Sequence, residues 1–182
     1  MSSEWASLKI QDLGRIVTGK TPPTSNEHFF GGGIPFLTPT DMVDGEMAVC
    51  TSRTLTAEGL ASVKNCLVPR GVAVSCIGWQ MGKSVLVFQP TVTNQQINTV
   101  VVDEVRFDLR FVYYLLSSMR KKIFELGATP TRTPIVNKTT FSQMAIGVPP
   151  LSEQRKIAAC LSVLDDRITL LRETNATLEA IA

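Results

Sequence analysis

A chain of 182 residues, 44% of them hydrophobic, is long enough to bury the core of one domain of ordinary size. With 19% charged residues and a net charge of +2, its composition excludes an intrinsically disordered protein. No apolar run approaches the ~18 residues of a membrane span, and the N-terminus has no signal pattern, so we expect a cytoplasmic protein without a membrane partner.

The four cysteines occur singly, and the chain has one histidine, which argues against a zinc site. We expect these cysteines to be reduced, mostly buried and without a catalytic role: Cys50, Cys66, Cys76 and Cys160.

The charges are segregated along the chain. No carboxylate occurs from Gly59 to Val102 or from Leu126 to Ser152, although both stretches contain lysine and arginine, and Arg120–Lys122 lies just before the second. Chance gaps would explain this, but a basic face that also carries amides and hydroxyls suits a polyanion such as DNA.

Near the start of the chain, Gly14 to Thr21 matches the P-loop pattern GxxxxGK[ST]. A P-loop binds phosphate at the start of a helix, whereas Pro22 and Pro23 here remove N–H donors and disfavour that helix. Val100–Asp103 would serve as the accompanying Walker B strand, so an NTP-binding protein remains an alternative.

The middle of the chain has the strongest strand signals, at Val72–Ile77, Val85–Phe88 and Gln96–Val102, after a shorter one at Ile34–Leu37. We expect them to form a meander or a barrel-like sheet. Asn94, Gln95 and Gln96 precede the last strand, and such amides both resist burial and read adenine in a major groove.

Phe107–Leu126 has the apolar period of a helix and ends at Gly127. Its last turns carry Arg120–Lys122, which either stabilise the helix C-terminus or contact phosphate. The following loop, Ala128–Pro134, is polar, basic and rich in proline, and it is a strong candidate for contact with a ligand.

The final stretch, Ser152–Ala182, has apolar residues in alternating steps of three and four, which predicts a helix of roughly 45 Å with a coiled-coil seam. An amphipathic helix lying on its own domain is the alternative. The predicted seam contains one polar residue, at a core position where asparagine commonly fixes register. The seam residues are Ile157, Leu161, Leu164, Ile168, Leu171, Asn175 and Leu178.

Five motifs in this order resemble the specificity subunit of type I restriction-modification systems. They begin near Trp5 and span nearly the whole chain: Leu8–Gly14, Thr18–Pro22, Ile34–Met42, Thr93–Asn98 and Pro149–Ala158.

The resemblance implies a target-recognition domain that reads one half of a split DNA sequence, followed by a spacer helix. It also implies two partner subunits, a DNA-adenine methyltransferase that holds S-adenosylmethionine and a restriction subunit that is a nuclease and translocase. This sequence contains one such unit, so the resemblance implies either a truncated chain or a half-subunit, which a second copy or second half-subunit would complete through the C-terminal helix. It lacks methyltransferase motifs, so we expect a non-catalytic reader without a cofactor of its own.

The expected fold is α+β, a twisted, barrel-like, mostly antiparallel sheet with a packed helix over residues 1–150 and a coiled-coil helix over 151–182. The candidates for phosphate contact are the basic residues Lys20, Lys83, Arg120, Lys121 and Lys138. The candidates for base contact are Gln80, Asn94, Gln95, Thr131 and Arg132. A coiled-coil assembly module that does not bind DNA is the other alternative.

Overall fold

The computed structural model describes residues 5–48, 50–128 and 133–181. The strands are β1 Ala6–Lys9, β2 Gly14–Thr18, β3 Phe30–Leu37, β4 Arg53–Leu55, β5 Leu67–Val68, β6 Gly71–Ser75, β7 Ser84–Val87, β8 Thr91–Thr93, β9 Ile97–Val102 and β10 Ala145–Val148. The helices are α1 Ala57–Ser62, α2 Leu109–Ser118, α3 Arg120–Gly127, α4 Lys138–Ser142 and α5 Leu151–Ile181. Short 3-10 helices cover Ile10–Leu13, Glu27–Phe29 and Pro39–Asp41.

The main sheet has the antiparallel order β2-β9-β6-β7. Every residue of β6 is buried, in agreement with the unbroken apolar run from Val72 to Val74. Helix α2 contacts this sheet and places Val112 and Leu116, both fully buried, in the largest apolar core.

A second sheet has the order β4-β3-β8-β5, in which β3 and β8 are parallel. Its core contains Phe36, Leu55 and Val92, each at most 1% exposed. The mostly antiparallel α+β prediction is therefore confirmed.

Two details of the predicted sheet differ from the structure. Strand β9 pairs with β6 on the side away from β7, so the three strands do not form a meander. Neither four-stranded sheet is closed, so a barrel is not confirmed.

The predicted helix Phe107–Leu126 is two helices, because the chain turns at Met119, whose φ and ψ are −84° and 1°. A Cβ on Gly82 would lie 2.7 Å from the Cα of Arg120, so the loop before β7 packs directly against this turn. The predicted return of the chain at Ile135–Lys138 and Ala145–Pro149 also contains a short helix, α4.

Strand β1 pairs with β10, with Ala6 opposite Val148 and Lys9 opposite Ala145. The long helix α5 follows β10 after Pro149 and Pro150. The first strand and the last helix therefore meet on the same part of the domain.

Helix α5 has 31 residues, close to the predicted length, and starts at Leu151. Its buried residues are Gln154, Ala158 and Ser162, which lie at four-residue intervals on the face toward α2. The predicted seam lies beside this face: Ile157 and Leu161 are half-buried, whereas Leu164, Ile168, Leu171, Asn175 and Leu178 are exposed. Within the described residues, no helix is both long and apolar enough to cross a membrane.

Candidate nucleic-acid interface

One end of the main sheet, which we call the loop end, gathers most of the predicted contact residues. At this end, the last residue of β2, Thr18, pairs with Asn98 near the start of β9. The last residue of β6, Ser75, pairs with Ile97, the first residue of β9. The start of β7 lies beside them. Three loops therefore leave the sheet side by side at the loop end, residues 19–26, 76–83 and 94–96. We call the opposite end of the strands, where Gly14 pairs with Val102, the far end.

Lys20, Asn94 and Gln95 lie in two touching loops at the loop end. The backbone N–H of Lys20 donates to the carbonyl of Thr93 at 2.9 Å, and the Thr21 hydroxyl donates to Oε1 of Gln95 at 2.6 Å. Gln95 is exposed, and Asn94 is half-buried and bonded to Gln96. Gln95 therefore retains a free amide NH₂ edge within the described structure, whereas the Asn94 amide mainly shapes the loop.

Gly19 makes this contact possible. A Cβ at Gly19 would lie 2.1 Å from the Thr93 carbonyl oxygen and 2.2 Å from that of Asn94. The glycine of the apparent P-loop thus allows two backbones to approach closely.

The P-loop geometry is absent from the described chain at this point. Gly14–Thr18 is a sheet strand, and no helix follows Thr21 until the 3-10 turn at Glu27–Phe29. Without a helix N-terminus after the lysine, its N–H groups do not converge on a phosphate. The NTP-binding alternative is therefore not supported.

The loop end also contains Thr38–Asp41, which are not among the predicted contact residues. The N–H of Asn94 donates to the carbonyl of Leu37 at 3.0 Å, which joins this turn to the amide loop. The hydroxyls of Thr38 and Thr40 lie 2.7 Å apart, and Thr38 also donates to Asp41. The available signal was a polar tetrapeptide directly after a strand, which is where binding loops commonly occur.

Asp41 stays ionised in this turn. Partial burial raises the pKa of Asp41, but the hydrogen bonds from Ser52 and Thr38 together lower it by a larger amount. The pKa of Asp41 therefore lies below the usual 3.8. Asp41 holds the turn in shape through the N–H groups of Thr38 and Ser52.

Lys83 and Arg120 share one carboxylate. The Lys83 ammonium lies 3.3 Å from Asp44 and donates to the Met42 carbonyl at 3.1 Å, and its side chain is only 12% exposed. Arg120 donates to Asp44 at 2.7 Å and remains 43% exposed. The position of Lys83 argues against a phosphate contact and for a role in holding the loop end together.

The remaining candidates lie in separate parts of the chain. Gln80 lies half-buried in this loop, and Lys121 is 90% exposed at the start of α3, with Glu125 at 3.8 Å. Lys138 is exposed at the first position of α4. Thr131 and Arg132 lie outside the described residues, although Val136, a few residues further on, donates its N–H to Cys76 beside the same loop.

Burial keeps two of the cysteines, Cys66 and Cys76, from being activated by their surroundings. Cys66 and Cys76 are buried as expected, whereas Cys50 and Cys160 are exposed. Burial raises the pKa of Cys76 to about 11, although the Asn98 amide lowers it in part, so the thiol stays protonated at neutral pH. The loop end is therefore equipped for charge contacts and hydrogen bonds.

Comparison with known proteins places this arrangement in a family. Residues 2–180 match the family described as type I restriction modification DNA specificity domain. The chain is 31% identical to the type I restriction enzyme HindI specificity subunit of Haemophilus influenzae, covering 93% of this chain and 39% of that protein. It is 27% identical to the MjaIX specificity subunit of Methanocaldococcus jannaschii, covering 98% and 42%.

Solved structures share the fold. The type I S subunit from M. genitalium superposes with a TM-score of 0.68 at 21% identity, covering 94% of this chain and 42% of that one. The HsdS subunit from Thermoanaerobacter tengcongensis gives a TM-score of 0.70 at 18% identity, covering 96% and 40%. The chain spans about two fifths of the length of the curated relatives that it matches. By its sequence along nearly the whole length, the chain belongs to the family of type I restriction-modification DNA specificity domains.

Proposed function

We propose that this chain is a sequence-specific DNA-recognition unit of a type I restriction-modification system and reads one half of a bipartite site. The observation that carries the proposal is that three neighbouring loops, which contain Lys20, Gln95 and Gln80, leave the main sheet at the loop end. Membership of the family supports DNA as the ligand.

The loop-end residues divide into two roles. Exposed cations, Lys20, Lys121 and the exposed part of Arg120, would contact phosphates and set the position of the duplex. Gln95 and Gln80, together with Thr131 and Arg132 of the 129–132 segment, would contact base edges. Lys138 remains a phosphate candidate, and Lys83 does not. Asn94 would act by fixing the loop that carries Gln95.

The division of the chain into a recognition domain over residues 1–150 and a helix over 151–182 is part of the proposal. The exposed seam of α5, from Leu164 to Leu178, would bind the helix of a second recognition unit and the methyltransferase subunit. That subunit would hold S-adenosylmethionine, and the restriction subunit would join the same assembly.

A selection experiment tests the proposal. The full chain, supplied with a methyltransferase subunit of a type I system, is incubated with a library of random duplexes, and bound duplexes are sequenced. We expect one enriched sequence motif, and an affinity that falls linearly as log K against log salt. Retention of all duplexes alike, or binding that does not depend on salt, would contradict it.

Replacing Gln95 by alanine refines the test. Loss of a bidentate base contact should weaken the selected duplex by about 1–3 kcal/mol and relax the preference at one base position. The matched control is Gln143→Ala, because Gln143 is an exposed glutamine that bonds to Lys9 and Gln11 in another part of the domain.

A further inference from the structure

Trp79 is 82% exposed although the loop that carries it is firmly held. The N–H of Met81 donates to the Gly78 carbonyl at 3.1 Å and that of Gly82 donates to Ser75 at 2.8 Å. Gly78 itself donates to Pro134 at 2.8 Å, and Met81 is 1% exposed in the core. The indole is therefore held outward by a fixed loop, and its exposed surface contributes little to folding.

Phe124 supports the indole from one side. The two ring centroids lie 6.0 Å apart with planes inclined by 31°, and the helix carrying Phe124 is anchored by fully buried Ile123. An open cavity of about 430 Å³ adjoins the two rings. Its lining residues are Trp79, Met81, Ser118, Arg120, Lys121 and Phe124.

The charge around this cavity is positive. None of the described residues that line it carries a carboxylate, and the Lys121 side chain, which is also part of the lining, is 90% exposed. The nearest partners of its cations, Asp44 and Glu125, leave Arg120 and Lys121 accessible to solvent. An aromatic surface flanked by cations matches a nucleobase and its phosphates, because bases stack on aromatic rings while lysine and arginine hold the backbone.

The far end offers a contrasting pair. Phe88 is 47% exposed there, with the guanidinium of Arg70 5.9 Å from its ring centre. Arg70 is bound to Glu104 at 3.0 Å, and no predicted contact residue lies beside it. An exposed aromatic ring next to an arginine therefore occurs at both ends of the main sheet. Only the ring at the loop end, that of Trp79, lies near the predicted contact residues.

We propose that Trp79, supported by Phe124, stacks its indole on a nucleobase of the bound duplex. The faces of bases are covered in B-form DNA, so this contact requires the duplex to be unstacked locally at one step. The inference rests on the proposed function. It adds a contact whose energy depends on how easily one base-pair step of the DNA is unstacked, in addition to the contacts with base edges.

The test uses the duplex selected above, with the fluorescent adenine analogue 2-aminopurine placed at each adenine in turn. With the unmodified chain we expect the fluorescence to change at one position, because the analogue there exchanges a neighbouring base for the indole as its stacking partner. Trp79→Ala should abolish that change and weaken binding roughly 5- to 140-fold, without changing the salt dependence. Trp79→Phe should retain most of both, and Phe88→Ala, the matched control, should retain all of both.

Three results would overturn the inference while leaving the proposed function intact. The first is a Trp79→Ala variant that binds the selected duplex with unchanged affinity and fluorescence. The second is a variant that binds DNA normally but no longer co-purifies with the methyltransferase, which would make Trp79 a protein contact. The third is a lowered unfolding midpoint that accounts for all lost binding. Failure of the unmodified chain to bind any duplex in a salt-dependent way would instead reject the proposed function itself.

Discussion

Two lysines that follow a glycine in similar loops lie in different environments. Lys20 and Lys83 both lie in Gly-Lys pairs at the loop end, and both were predicted to contact phosphate. Lys20 is exposed and has no ion pair among the described residues, whereas Lys83 is held by Asp44 and the Met42 carbonyl. The partner carbonyl lies 41 residues earlier, so no local pattern distinguishes the two lysines.

These environments predict opposite effects of the same substitution. Lys20→Ala should weaken binding to every duplex, reduce the slope of log K against log salt by about one, and leave stability unchanged. Lys83→Ala should lower the free energy of unfolding by about 1–3 kcal/mol and leave the salt slope unchanged. Urea unfolding and DNA titration measure both, with Lys83→Met as a control that keeps the aliphatic stem. The reverse pattern would assign the phosphate contact to Lys83.

At the scale of secondary-structure elements, one buried amide determines how α5 is attached. Gln154 is 2% exposed; its Oε1 accepts from the N–H of Asp108 at 3.0 Å, and its Nε2 donates to the Pro149 carbonyl at 2.9 Å. A second attachment lies about three turns later along α5, where the hydroxyl of Tyr114 donates to Asp165 at 2.8 Å. The helix is thus held by hydrogen bonds at two points along α2.

Gln154→Leu keeps the volume but leaves the Asp108 N–H and the Pro149 carbonyl without partners. We expect the free energy of unfolding to fall by about 2 kcal/mol or more, measured by urea unfolding. Lys156→Leu, two residues away on the exposed surface, is the control and should change stability by less than about 0.5 kcal/mol. Equal effects in the two variants would show that the amide does not secure the helix.

The second attachment predicts a loss of stability in alkali. Burial raises the pKa of Tyr114 to about 12; the Ser162 hydrogen bond lowers it in part, and Asp165 and Tyr113 raise it. Because the folded pKa exceeds the ordinary value of 10.0, this contribution is complete below pH 10 and is lost as the pH rises toward 12. Tyr113, whose pKa is also raised, and Cys76 titrate in the alkaline range as well.

Thermal unfolding of the unmodified chain and of Tyr114→Phe from pH 9 to 12 isolates the contribution of Tyr114. We expect the difference in stability between the two proteins to shrink above pH 10, whereas Tyr113→Phe reports the background from its neighbour. A difference that stays constant throughout this range would assign the alkaline loss to other groups.

The elements themselves were largely predictable, and their arrangement was not. The apolar runs at Val72–Val74 and Val85–Val87 identified β6 and β7, and the period of α5 predicted its extent to within a residue at either end. The position of β9 beside β6, the turn at Met119 and the pairing of Lys83 with Asp44 all depend on contacts between distant residues. Trp79 was missed because exposure of an aromatic residue leaves no signal in the sequence.

At the scale of the whole molecule, α5 runs in the same direction as α2, from the far end toward the loop end. Gln154 bonds to Asp108 just before α2, Asp165 bonds to Tyr114 within it, and the guanidinium of Arg172 approaches Gly45, next to Asp44. The seam is therefore exposed over the half of the helix that lies nearer to the loop end.

This exposed seam predicts an effect of its one polar residue. Asn175→Leu should tighten self-association through α5 while broadening the range of assemblies, because the asparagine no longer selects one register. Sedimentation velocity over a concentration series measures both effects. Glu173→Leu, on the opposite side of the helix, is the control. Monomers in all three proteins would show that α5 does not mediate self-association.

The pairing of β1 with β10 has a consequence for how such a domain can change. Strand β1 pairs with β10, and α5 directly follows β10. The segment between Lys9 and Ala145 therefore begins and ends at neighbouring positions in the fold. Loops in that segment can be lengthened, shortened or exchanged without moving the helix to which the rest of an assembly would bind. Under the proposed function, a new binding preference would arise by replacement of one continuous segment, with the spacing between assembled units preserved.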